Sequence, residues 1–94
     1  MSRPHRSHPR ERVADWPNVP AVDPSGEVAR LFARNVQNAI GKRSLREAGE
    51  LVGVDFSTLA KIVNGATWPD LETIAKLERG FDVDLWPGRV DNDG

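Results

Sequence analysis

Four stretches of the chain repeat apolar residues at the three-and-four spacing of a helix with one buried face, and short glycine or polar breaks separate them. In the first, Val28, Leu31, Phe32, Val36, Ala39 and Ile40 form the stripe, while Arg30, Arg34 and Asn38 lie opposite as solvated positions. Asp23-Pro24 supplies an N-cap followed by proline at the first helical position, and Gly41 ends the helix after Ile40. In the second, Ser44 and Glu47 have capping-box spacing, Leu45, Ala48 and Val52 recur, and Gly53 terminates. Gly49 lies on the same side, where another helix can approach closely. The third opens at Asp55, turns Leu59, Ile62 and Val63 inward, and closes at Asn64-Gly65. The fourth is capped by Asp70, with Leu71, Ile74, Ala75 and Leu77 inward and Phe81 closing it. Asp84 is placed to cap a fifth, final turn containing Leu85 and Trp86, stopped by Pro87-Gly88. No stretch alternates in the manner of a strand and nothing repeats, so the class is all-α with five helices.

The flanks carry no such period. Met1–Arg12 is polar and contains Pro4 and Pro9, which reads as a flexible arm. Val13–Val22 holds Trp16, Pro17, Val19 and Pro20, too rich in proline for a helix and too apolar for a plain linker. Two readings stay open for it: Trp16 packs on the flank of the domain, or the segment docks a partner. The organisation expected is an arm with its Trp/Pro segment over 1–22, a domain over 23–88 and a polar tail over 89–94.

Length and charge refine this picture. A chain of 94 residues holds one domain, and the helical part is small enough that dimerisation would help its stability. The chain has no cysteine, hence no disulfide framework and no thiolate chemistry. No apolar run approaches the roughly 18 residues of a membrane span, and the N-terminus lacks the apolar core of a signal peptide. No membrane association and a cytoplasmic location are therefore expected. The net charge of −1 conceals an uneven distribution. Residues 1–12 carry four arginines against Glu11, and residues 28–46 carry Arg30, Arg34, Lys42, Arg43 and Arg46 with no acid. Residues 47–94 are strongly acidic. One basic end can still face phosphate.

Catalysis has little support. His5 and His8 both lie in the arm with no third ligand near them, tyrosine is absent, and Asp82 and Asp84 flank a chain turn rather than forming an acid/base pair. No metal and no cofactor are expected.

Ser44–Gly65 is the stretch that carries function. Two short helices separated by about three residues with a glycine form the pattern of a helix-turn-helix, whose second helix enters the major groove of duplex DNA. On a helix opened by Asp55, the outward residues are Phe56, Ser57, Ala60, Lys61 and Asn64. Ser57 and Lys61 can donate hydrogen bonds to bases or phosphates, and Phe56 can touch a thymine methyl or else pack near Leu45. Lys42, Arg43 and Arg46 stand at the start of the preceding helix, which crosses the DNA backbone, so they position rather than read. Thr67 can add a phosphate contact.

The stretch resembles the helix-turn-helix of the phage repressor and Cro family, also called XRE-like. Gly49, Gly53, Val54, Leu59 and Asn64-Gly65 carry the likeness, and Pro69–Leu77 with Phe81, Val83 and Leu85 extend it, so that it covers roughly residues 24 to 87. Leu45 stands where the family often has glutamine, and Asp82 where it commonly has glycine. The resemblance implies a transcriptional regulator, most simply a repressor, that reads bases with Phe56, Ser57 and Lys61 and holds a phosphate with Asn64. It also implies a dimer contact at Leu85 and Trp86, unless Trp86 folds back into the core. Small members of the family also act as antitoxins, so a toxin is the alternative partner. Arg3, Arg6, Arg10 and Arg12 would let the arm follow DNA into a neighbouring groove.

Overall fold

A computed structural model describes residues 7–90. A short 3-10 helix over Pro9–Arg12 is followed by α1 (Pro24–Ile40), α2 (Leu45–Val52), α3 (Phe56–Val63) and α4 (Leu71–Phe81), and no strand occurs among the described residues. Each helix starts where its cap was expected, because the first-turn N–H groups have no partner inside the helix. Asp23 accepts from the amide of Gly26, and Asp70 accepts from that of Thr73 at 2.8 Å. Ser44 and Glu47 close a reciprocal box at 3.0 and 2.9 Å.

The core joins all four helices. Phe32, Val36 and Ile40 of α1 meet Ala48 and Val52 of α2, Leu59 and Ile62 of α3, and Ile74 and Leu77 of α4. In α1 the buried face also takes in Ala29 and Ala33, while Val28 and Leu31 are only half-buried. Leu71 does not point inward: it is 83% exposed, and Ala75 is exposed as well. Leu71 opens α4, and a helical side chain leans toward the N-terminus, here off the end of the core.

The expected fifth helix does not form among the described residues. Asp82 takes the left-handed conformation (φ 57°, ψ 42°), and the chain beyond it runs without regular structure. Glu78 of α4 replaces Asp84 as the partner of this segment, accepting from the amides of Leu85 and Trp86, both at 2.8 Å. Asn35 donates to the carbonyl of Leu85 at 2.8 Å. The Leu85 side chain is 2% exposed and completes the core, so Leu85 cannot serve as a dimer contact. Trp86, 49% exposed, still can.

Residues 7–12 depart from the expected flexible arm, and over 13–22 the first of the two readings holds, with Trp16 packed on the domain. Together these residues form a strap across α1 and the far end of α3. Pro9 and Val13 are buried on its inner side. Arg12 pairs with Asp23 at 2.8 Å, and its guanidinium carbon sits 4.8 Å from the centroid of a Trp68 ring. Arg30, expected in solvent, is 5% exposed and pairs with buried Glu27 at 2.6 Å. That pair holds the strap. Glu27 accepts from the amide of Ala21 at 2.8 Å, and Arg30 donates to the carbonyl of Pro17 at 3.1 Å. Arg3 and Arg6 lie outside the described residues.

Three expectations test this architecture. Glu27→Ala strands a buried guanidinium and the amide of Ala21, and should cost about 3–5 kcal/mol in urea unfolding. Asp82→Gly relieves a left-handed aspartate and should add about 1 kcal/mol by the same measurement. The carboxyl of Glu27 is held below its ordinary value by the Arg30 hydrogen bonds against the opposing effect of burial, and that of Glu78 by the amides of Trp86 and Leu85. A depressed carboxylate contributes stability above its unfolded-state pKa and loses it as pH falls toward the folded one. Thermal melting should therefore be flat near neutrality and decline once pH drops below about 4.

Candidate nucleic-acid interface

α3 is set on α2 by a backbone contact. A Cβ at Gly49 would lie 2.6 Å from the carbonyl oxygen of Val54 and 3.3 Å from the amide nitrogen of Phe56, so the turn can rest on α2 only where there is no side chain. Gly53, at φ 73°, turns the chain, and the amides of Gly53 and Val54 both reach the carbonyl of Gly49, at 2.8 and 3.1 Å. Asp55 then caps α3 through the amide of Ser57 at 3.0 Å.

One face of α3 is sealed in the core by Leu59 and Ile62. The other presents Ser57, Lys61 and Asn64, all exposed and spaced four and three apart, so they form one stripe. The Ser57 hydroxyl donates to the Asp55 carboxylate. That hydroxyl, then the Ser57 amide, holds the Asp55 carboxyl below its ordinary value. Phe56 is 40% exposed, with the guanidinium carbon of Arg46 at 4.5 Å from its ring centroid. The phenyl ring is therefore partnered by Arg46, and Arg46 is steered to the start of α3.

The expected phosphate contacts are spread along the edge of this face. Lys42, Arg43 and Arg46 are exposed between the end of α1 and the first turn of α2. Arg43 also donates to the carbonyl of Ala39 at 3.1 Å, satisfying the end of α1. The Ser44–Glu47 box occupies part of the amide cluster at the start of α2, so the basic side chains offer charge there more than the helix terminus does. Thr67 is half-buried just past α3. Arg12 is engaged by Asp23, Ser7 and Trp68, and is not an open DNA contact; Arg10 is exposed.

Sequence reasoning missed the strap's grip on this site. The indole N–H of Trp16 donates to the carbonyl of Val63 at 2.8 Å, the amide of Arg10 to that of Gly65 at 3.0 Å, and the indole N–H of Trp68 to that of Ser7 at 2.8 Å. The only signal was an apolar residue set among prolines. Among the described residues no group of three or more His, Cys, Asp or Glu could hold a metal, and no helix is long and apolar enough to cross a membrane.

Gly49→Val should displace the Val54 carbonyl and tilt α3. We expect a loss of about 1–3 kcal/mol in thermal unfolding, as for other overpacked sites.

A family model described as helix-turn-helix matches residues 41–85, which span α2, α3, α4 and the turn back to Leu85. No curated protein and no solved structure matches the chain. The capped helix pair, the glycine turn and the family match together identify residues 41–85 as a helix-turn-helix domain of the XRE-like type.

Proposed function

We propose that the protein represses transcription by occupying a specific duplex site with α3 in the major groove. The observation that carries this reading is the exposed stripe Ser57–Lys61–Asn64 on a helix whose opposite face is locked in the core. Lys61 offers donors for guanine O6 and N7. The Ser57 hydroxyl can donate or accept, and so can meet any base edge in the groove. Phe56 meets a thymine methyl. Lys42, Arg43, Arg46, Asn64 and Thr67 hold the backbones on either side and fix register without reading sequence. A bound repressor of this size excludes polymerase from the promoter it covers. Its place of action is the cytoplasm, and Trp86 offers a contact to a second copy, which matches a two-fold operator.

The antitoxin reading is weaker because Trp16, its natural handle for a toxin, is committed to Val63 inside the domain.

Selection of bound sequences from random duplex DNA tests the proposal. A reproducible site should emerge, with affinity falling steeply as salt rises. Lys61→Ala or Ser57→Ala should cost roughly 1–3 kcal/mol at that site and change base preference. Lys42→Ala should weaken all sequences alike and make the salt slope shallower by about one. Binding that is indifferent to sequence would defeat the regulator reading. Trp86→Ala should abolish the dimer in sedimentation while leaving the fold intact; a destabilised monomer would instead assign Trp86 to the core.

A further inference from the structure

We propose that the strap, residues 7–22, is a positioning element for α3, and that Trp16 is the residue through which it aims Lys61 and Asn64. The inference rests on the DNA-reading role of α3 and adds a segment that lies wholly outside the matched residues 41–85. An eight-residue helix does not hold itself in water, so its direction is set by whatever grips its two ends. The first end is fixed by Gly49 and the Asp55 cap. The second is fixed by the strap. The last carbonyls of a helix have no partner within it. Here the Trp16 indole supplies one to Val63 at 2.8 Å, and the Arg10 amide supplies one to Gly65 just beyond, at 3.0 Å.

The grip is tight. Gly65 has φ 69°, and a Cβ on it would lie 2.6 Å from the Trp16 ring and 2.9 Å from the Cβ of Arg10. The strap is itself tied at several points that do not touch α3. Arg12 pairs with Asp23, Arg30 holds the Pro17 carbonyl, Glu27 holds the Ala21 amide, and Trp68 holds the Ser7 carbonyl. The far end of α3 is thereby referenced to α1 and to the loop before α4, not only to its own core side chains.

Releasing that end leaves α3 held by the Asp55 cap at its start and by Leu59 and Ile62 in the core. The helix is about 12 Å long, so a tilt about its first turn barely moves Ser57 and moves Lys61 and Asn64 most. A strap that positions α3 must therefore affect the bases read by Lys61 before those read by Ser57. A strap that only stabilises the fold has no such preference.

The experiment compares binding-site profiles of the full chain and of Trp16→Phe, which keeps an aromatic ring and removes the N–H donor. Profiles of Lys61→Ala and Ser57→Ala first assign base pairs to each reader. In Trp16→Phe, discrimination at the Lys61-dependent pair should fall about tenfold, a fraction of what a good side-chain-to-base contact supplies. Discrimination at the Ser57-dependent pair, affinity for random duplex and the salt slope should stay unchanged, all measured well below the melting temperature. Trp68→Phe frees the strap at Ser7 without touching α3 and should act in the same direction more weakly. It decides by the same criterion if Trp16→Phe does not fold. A lowered melting temperature with an unchanged profile, or a uniform loss at every base pair, overturns the inference while leaving the DNA-reading function in place. A wild-type protein with no sequence preference overturns both.

Discussion

The structure depends on how its helix ends are satisfied. Four short helices expose many unpartnered amides and carbonyls for the amount of apolar surface they bury. Side chains meet that demand at nearly every terminus. Asp23, Ser44, Asp55 and Asp70 take the opening amides, and Glu78 takes two amides of the returning chain. Arg43 and Trp16 take closing carbonyls of α1 and α3. Several of the chain's 14 acidic residues are held in their ionised form by backbone amides or by Arg30, while Lys42, Arg43 and Arg46 stay exposed.

What the sequence made legible was local. Caps act over three residues, apolar stripes over one or two turns, and glycine stops over a single residue, so α1 to α4 and the buried Leu59, Ile62 and Leu77 could all be read directly. The misreadings are tertiary. Asp84 looked like a cap because nothing local shows that Glu78 will take the amides of Leu85 and Trp86 first. Trp16 finds its acceptor 47 residues away and Trp68 finds Ser7 at 61, distances at which a sequence carries no periodic trace. Arg30 is the exception. Glu27 stands three residues before it, and the pair could have been suspected from spacing, but its burial comes from the strap that covers it.

The candidate site separates into parts with different physical duties. Ser57 and Lys61 differ in what they offer, because a hydroxyl can donate or accept while an ammonium can only donate. Arg46 and Phe56 form a stacked pair at the start of α3, where charge and apolar surface stand side by side. The exposed stripe of α3 thus runs from an end fixed by α2 to an end held by a distant part of the chain.

That distant hold has a consequence for synthesis. The strap is the first part of the described chain to leave the ribosome, yet its seat at Val63, Gly65 and Trp68 is among the later parts to be made. The Glu27–Arg30 pair can draw in Ala21 and Pro17 as soon as α1 emerges. Trp16 and Ser7 must wait, exposed, through the translation of some forty to sixty further residues. At about 5–20 residues per second, that wait is on the order of seconds, far longer than a helix takes to form. A nascent chain therefore carries an unseated strap until α3 arrives, and α4 and Leu85 must still follow before the core closes.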